Sequence, residues 1–156
     1  MAAPHRHRIA AAIRRIDGLD YGPLDGILGF ALRRAQVAMY LSFHKATHGF
    51  DITPPRFTAL VMIGANPDMS QSTLGSVLGI ARSGAMMLTD WMEARGLVER
   101  RQHKDGRVWG LHLTVRGRKL TEALRRRVIA EDRKRAAVLS EAERGQLARL
   151  LNKLAG

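Results

Sequence analysis

Cysteine is absent from the 156 residues. That excludes disulfides, thiolate nucleophiles and thiolate metal sites, and it fits a reducing cytoplasm. Aromatic residues are scarce at 5%, and the 14 Asp+Glu are outnumbered by 26 Lys+Arg, for a formal charge of +12. Such an excess favours a polyanionic partner over a neutral one. No apolar run approaches the roughly 18–20 residues that span a bilayer. The opening stretch, MAAPHRHRIAAAIRRIDG, is basic without an apolar centre, so it reads as an arm rather than a secretory signal. Also missing are G-x-S-x-G, H-E-x-x-H and a phosphate-cradling glycine loop, so enzymatic turnover is not expected. His44 and His48 stand one helical turn apart, a metal-capable spacing, but no third ligand is legible and neither metal nor cofactor is expected.

What is present suffices for one domain with a real core: hydrophobic residues make up 46% of the chain. Residues 1–23 read as a flexible basic arm ending in Gly18, Gly22 and Pro23. A long helical pattern then runs from Leu24 to about His48, with Leu28, Leu32, Ala35, Met39 and Phe43 on one stripe. Thr53 is placed to cap a helix that has Pro54 and Pro55 in its first turn, and Asn66-Pro67-Asp68 stops it. Ser70 opens a short helix and Gly79 turns the chain. The next helix carries Ala81, Ala85, Leu88 and Met92 as an inward stripe, and Gly96 ends it. Two helices joined by a glycine turn outline a helix-turn-helix.

The stretch GLVERRQHKDGRVWGLHLTVRG then reads as a hairpin. Leu97 and Val98 open its first strand, Lys104-Asp105-Gly106 make the turn, and Trp109, Leu111 and Leu113 alternate onto one face. Five cations, Arg95, Arg100, Arg101, Lys104 and Arg107, lie within thirteen residues. A hairpin of this size must lean on something, and helices flank it on both sides. Val115 to about Val138 forms a basic helix with nine Lys/Arg against three acids. A last helix starts with a Ser140–Glu143 capping box and carries Leu147, Leu150, Leu151 and Leu154. The fold class is therefore mainly α with a small β-hairpin wing.

In this order the motifs resemble the MarR (multiple-antibiotic-resistance regulator) transcription factors across about residues 24–155. Asn66-Pro67-Asp68-Met69-Ser70-Gln71 looks like that family's P-x-L-[ST]-Q approach to the short helix, and Ile80-Ala81-Arg82-Ser83 like its I-D-R-[ST] start of the recognition helix. Glu93 to Arg100 is similar to L-E-x-x-G-L-[VI]-x-R. Asp105-Gly106-Arg107 and Leu113-Thr114-Val115-Arg116-Gly117 match the D-x-R wing and the L-T-x-x-G exit. The resemblance implies a winged helix-turn-helix lobe over 54–117 and dimerisation helices over 24–49 and 118–156. Dimerisation also answers a physical need, because the first helix and the terminal leucine stripe cannot easily bury themselves on one small lobe.

By the same resemblance, Arg107 enters a DNA minor groove while Asp105 holds its guanidinium, where a narrow electronegative groove attracts Arg. Arg100, Arg101 and Lys104 read as phosphate contacts. Arg82 and Ser83 suit base edges, with Gln71, Ser72 and Thr73 near the backbone. Gly84, Met86 and Met87 replace the small hydroxyl and basic residues usual in the family, and Ala81 replaces its capping Asp. Methionines press on thymine methyls but form no bidentate hydrogen bonds, which shifts specificity toward DNA shape and the wing. The segment GFALRRAQVAMY resembles a branch sensing hydroxycinnamoyl- or other aryl-CoA thioesters. In that reading Arg33 and Arg34 meet phosphates or an acidic group, and Phe30, Met39, Tyr40, Phe43 and His44 line the ligand pocket, though each also suits core or dimer packing. The expected function is a cytoplasmic, homodimeric, sequence-specific DNA-binding regulator on a pseudo-palindromic operator, acting as a repressor released by an aromatic effector. The alternative is a basic nucleoid-type protein that binds DNA without sequence preference.

Overall fold

Glycine, proline and short polar caps punctuate the chain into six α-helices and one hairpin among the described residues, which are 13, 15–102 and 109–156 of this computed structural model. The helices are α1 (Leu28–Ala46), α2 (Pro54–Ala65), α3 (Gln71–Leu78), α4 (Arg82–Ala94), α5 (Val115–Ala136) and α6 (Glu141–Ala155). The antiparallel strands β1 (Val98–Gln102) and β2 (Trp109–Leu113) pair with Val98 opposite Leu113 and Gln102 opposite Trp109. Wing-tip residues Lys104, Asp105 and Arg107 lie outside the described residues, as does the arm up to position 12. By internal contacts the chain divides into two compact units, Met1–Ala46 with Ala130–Gly156, and Thr47–Ile129. Among the described residues no helix is long and apolar enough to cross a membrane.

The unit Thr47–Ile129 holds most of the buried apolar side chains: Leu60, Ile63, Leu74, Met92, Leu111 and Leu124 are at most 1% exposed. Gly75 lets α3 and α4 approach closely, since a Cβ there would sit 3.2 Å from the Cβ of Ala85. Gly79 takes a left-handed φ of 63° and closes α3, donating its N–H to the Ser76 carbonyl. Thr114 organises the hairpin exit. Its hydroxyl accepts from the Gly117 N–H at 2.9 Å and donates to the Gly96 carbonyl at 2.6 Å, so one side chain caps α5 and ties down the end of α4. In the other unit Val37, Ser42 and Ala46 are the buried residues of α1, while Leu28, Met39, Leu147, Leu150, Leu151 and Leu154 are exposed. The capping box of α6 is formed as expected, with Ser140 and Glu143 each accepting from the other's backbone N–H.

Three local expectations need correction. The first long helix does not start at Leu24: Gly22–Gly26 form a 3-10 turn, and Ile27 is extended before α1 begins at Leu28. Pro23 and two glycines favour the turn over a continuous helix. Thr53 stands at the N-cap of α2 but makes no side-chain cap hydrogen bond; Pro55 offers no N–H, and that of Arg56 is not taken up. On α4 the buried set is Ala85, Thr89 and Met92, with Ala81 exposed. Thr89 is buried because its hydroxyl bonds the Ala85 carbonyl at 2.8 Å, which satisfies its polarity inside the helix. Trp109 lies on the same face as Leu111 and Leu113, as the alternation implies, and is 55% exposed at the outer end of β2.

Candidate nucleic-acid interface

A short polar helix, a tight turn and an exposed helix start form one face of the Thr47–Ile129 unit. Ser70 begins α3 by accepting the Thr73 N–H at 3.1 Å, and its hydroxyl also meets those of Ser72 and Thr73 at 2.8 Å. Ser72 and Thr73 are exposed while Gln71 is half-buried. After the Gly79 turn, α4 starts on Ala81, which offers no side-chain cap. Uncapped N–H groups there are left to solvent or a ligand. Arg82 and Ser83 are exposed at this start, and Arg82 has no partner among the described residues. Met86 and Met87 are 49% and 70% exposed, so neither belongs to the core.

The base of the hairpin is locked to this face by Arg100. Its guanidinium donates to Asp90 at 2.7 Å, to Gln71 at 3.1 Å and to Glu93, while its backbone N–H meets the second Glu93 oxygen at 3.2 Å. One side chain thereby joins β1, α3 and α4, a use the sequence reading did not foresee when it offered Arg100 to phosphate. Arg101 is exposed and pairs with Glu99 at 2.5 Å. Arg95 is turned elsewhere: Arg56 and Arg95 both lie over the Trp91 ring, 3.7 and 4.0 Å from its centroid, and Asp51 bridges both guanidiniums. On the far side of the hairpin His112 meets Asp68 at 2.7 Å, and Leu111 donates its N–H to the Met69 carbonyl at 2.9 Å. Gly110 permits that approach, since a Cβ there would lie 2.7 Å from the Asp68 Cα. The hairpin is thus braced from both faces. Between α3, the start of α4 and the hairpin lies a cleft of about 760 Å³, whose lining includes Gln71, Ser72, Arg82, Arg100 and Trp109.

Residues 50–107 match the model of the MarR family. A curated regulatory protein of Thauera aromatica, described as the putative transcriptional regulator for the hcr operon, is 34% identical over 96% of this chain and 91% of its own length. The chain belongs to the MarR family. Among solved structures, the transcriptional repressor CouR bound to a 23-mer DNA duplex shares 29% identity at a TM-score of 0.83, covering 88% of this chain and 99% of its own. CouR bound to p-coumaroyl-CoA gives 29% and 0.79 over 88% and 97%. The PcaV regulator of Streptomyces coelicolor with its natural ligand gives 26% and 0.76 over 90% and 97%. The protein is accordingly a MarR-family transcriptional regulator, a winged helix-turn-helix with helices added at both ends.

Within this MarR chain the residues proposed for an effector all lie on α1. Arg33 is exposed and donates to Gln36 at 3.3 Å, whereas Arg34 lies 5.9 Å from the Phe30 ring and reaches the Ile13 carbonyl at 3.4 Å. Tyr40, Phe43 and His44 are half-buried, and Met39 is exposed. Where α1 meets the end of α5, a second cleft of about 420 Å³ gathers Lys45, Lys134 and Arg135, with Glu131 pairing Lys45 at 3.3 Å and Arg135 donating to Ser42 at 3.0 Å. Sequence reading missed this cleft because its cations come from segments about ninety positions apart. Among the described residues no group of three or more His, Asp or Glu is placed to hold a metal ion.

Proposed function

We propose that this regulator acts as a homodimeric, sequence-specific repressor that an aromatic ligand of the aryl-CoA thioester class releases from its operator. The observation that carries the DNA reading is the exposed start of α4, with Arg82, Ser83, Met86 and Met87 facing solvent beside a hairpin held in register by Arg100. Helix starts of this kind enter major grooves, and the net charge of +12 supplies salt-dependent affinity. Arg107 and Asp105 would probe the minor groove, with Arg101 and Lys104 on phosphates. The apolar side chains left exposed on α1 and α6 support a two-fold dimer, which would set two recognition helices on half-sites about a helical turn apart. The thioester class rests on CouR, bound in its structure to p-coumaroyl-CoA, and on Arg33, Arg34 and the aromatic residues of α1 in this chain. A ligand that binds better to a differently spaced pair of helices would empty the operator by population shift.

Footprinting on the DNA upstream of the protein's own gene tests the first half. A discrete protected site, poorly competed by bulk DNA, is expected. A salt-sensitive smear without protection would favour the nucleoid-type reading, to which Met86 and Met87 lend some support because thioethers make no bidentate base contacts. Thermal-shift titration tests the second half: a stabilising shift with an aryl-CoA ester but not with the free aromatic acid is expected, and no shift with any thioester would sink the ligand class. Within the DNA reading, Arg107→Ala should weaken operator binding about tenfold, whereas deleting the first twelve residues should change it far less. Equal losses in a mobility-shift assay would refute that division between wing and arm.

A further inference from the structure

Trp109 is the one large side chain of β2 that the hairpin leaves outside its packing. Paired residues across an antiparallel ladder share a face, so Trp109, opposite Gln102, projects from the same face as Arg100 and Leu111. That face is turned toward α3 and α4, where Leu111 is 1% exposed and Arg100 reaches Gln71 and Asp90. Trp109 remains 55% exposed on it and lines the cleft shared with Gln71, Ser72, Ser76 and Arg82. Its indole N–H, a donor with no acceptor function, has no partner among the described residues. Single exposed apolar residues are common on protein surfaces and need no function. Here, however, the exposed residue is a tryptophan whose donor has no partner among the described residues, set in a cleft that also carries hydroxyl, amide and guanidinium groups.

We infer that Trp109 is a DNA-backbone contact: its ring lies against a deoxyribose and its Nε1–H donates to a phosphate oxygen of the strand that runs between α3 and the wing. The contact rests on the DNA reading of this face. It adds to the residues already assigned there a neutral anchor that spans sugar and phosphate together. Aromatic rings pack on nucleotides without base preference, and a neutral N–H adds a phosphate contact without releasing a counterion. The contact would therefore fix the register of the wing on the duplex and would persist on DNA of any sequence.

The chain has two tryptophans, so Trp109→Phe leaves only Trp91, whose ring lies beneath Arg56 and Arg95. The wild type and this variant are titrated with a fluorescein-labelled, mixed-sequence duplex at low salt. Label anisotropy reports binding, and indole emission reports the contact. Wild-type emission is expected to fall as anisotropy rises, while the variant's emission stays constant and its affinity drops about three- to tenfold. The salt slope should change by much less than one, since no charge is lost. Binding by anisotropy with unchanged wild-type emission, or an equal emission change in Trp109→Phe, would overturn the assignment and leave the DNA reading intact. Absence of binding in both proteins would instead remove the DNA reading and this inference with it.

Discussion

Alanine at position 117 is expected to cost about 3–5 kcal/mol, a large fraction of a total stability that is about 5–15 kcal/mol for a domain of this kind. An added Cβ would lie 1.9 Å from the Leu97 carbonyl oxygen and 2.9 Å from its carbon. Both are backbone atoms, so no rotamer change relieves the clash. The oxygen is also fixed in place, accepting from the Thr114 N–H at 3.0 Å. Moving it would loosen the junction where β1 begins beside α5, with Leu97 and Val98 pulled from the core. Gly64→Ala is the internal comparison: its Cβ would meet only side-chain atoms of Leu113, the Cδ1 at 2.9 Å and the Cγ at 3.9 Å. It should cost about 1 kcal/mol or less. Melting temperatures of the two variants would differ by about 10 °C on this account. A Gly117→Ala protein that melts within a degree or two of wild type would show that the exit of the hairpin is soft.

The same glycine shows how much could be read in advance. Leu113-Thr114-Val115-Arg116-Gly117 stands out as a motif in the sequence, and so do the Ser70 cap, the Gly79 turn and the Ser140–Glu143 box. Each is governed by contacts within a few positions, where backbone geometry and hydrogen-bond supply leave few choices. The placement of Leu111 and Leu113 inward followed from alternation for a similar reason. Residues whose role is set by distant partners were not legible. Nothing near Arg100 in sequence announces that Gln71, twenty-nine positions earlier, will accept its N–H. The cluster of Arg56, Trp91 and Arg95 with Asp51 likewise joins two segments about forty positions apart. Thr89 was lost because a hydroxyl counts as polar until its bond to the Ala85 carbonyl is known. Trp109 shares the face of Leu111 and Leu113 as alternation implied, but its exposure was not legible, because alternation gives the face of a strand and not where its packing ends.

Arg100→Met is expected to weaken DNA binding about thirtyfold, by about 2 kcal/mol, with only a small loss of stability. The guanidinium holds two carboxylates of α4, Asp90 and Glu93, and an amide of α3, and its side chain is 29% exposed. Partial exposure screens the pairs, so their contribution to folding is modest. Their contribution to binding is larger, because removing the cation leaves two anions uncompensated on the helix proposed to approach a polyanion. If Arg100 instead served phosphate directly, Arg100→Lys would keep most of the affinity, since an ammonium serves a phosphate as a point charge. A lysine cannot reproduce a planar fork to three acceptors, so in the positioning role Arg100→Lys should fall nearly as far as Arg100→Met. The second discriminant is a cycle with Asp90→Asn. Positioning predicts that the double variant Asp90→Asn/Arg100→Met recovers part of the affinity lost by Arg100→Met, a coupling that strict additivity would exclude. Retained affinity in Arg100→Lys together with additive losses in the cycle would return Arg100 to the phosphate backbone, and would leave the hairpin's alignment to Leu111, Gly110 and the His112–Asp68 pair.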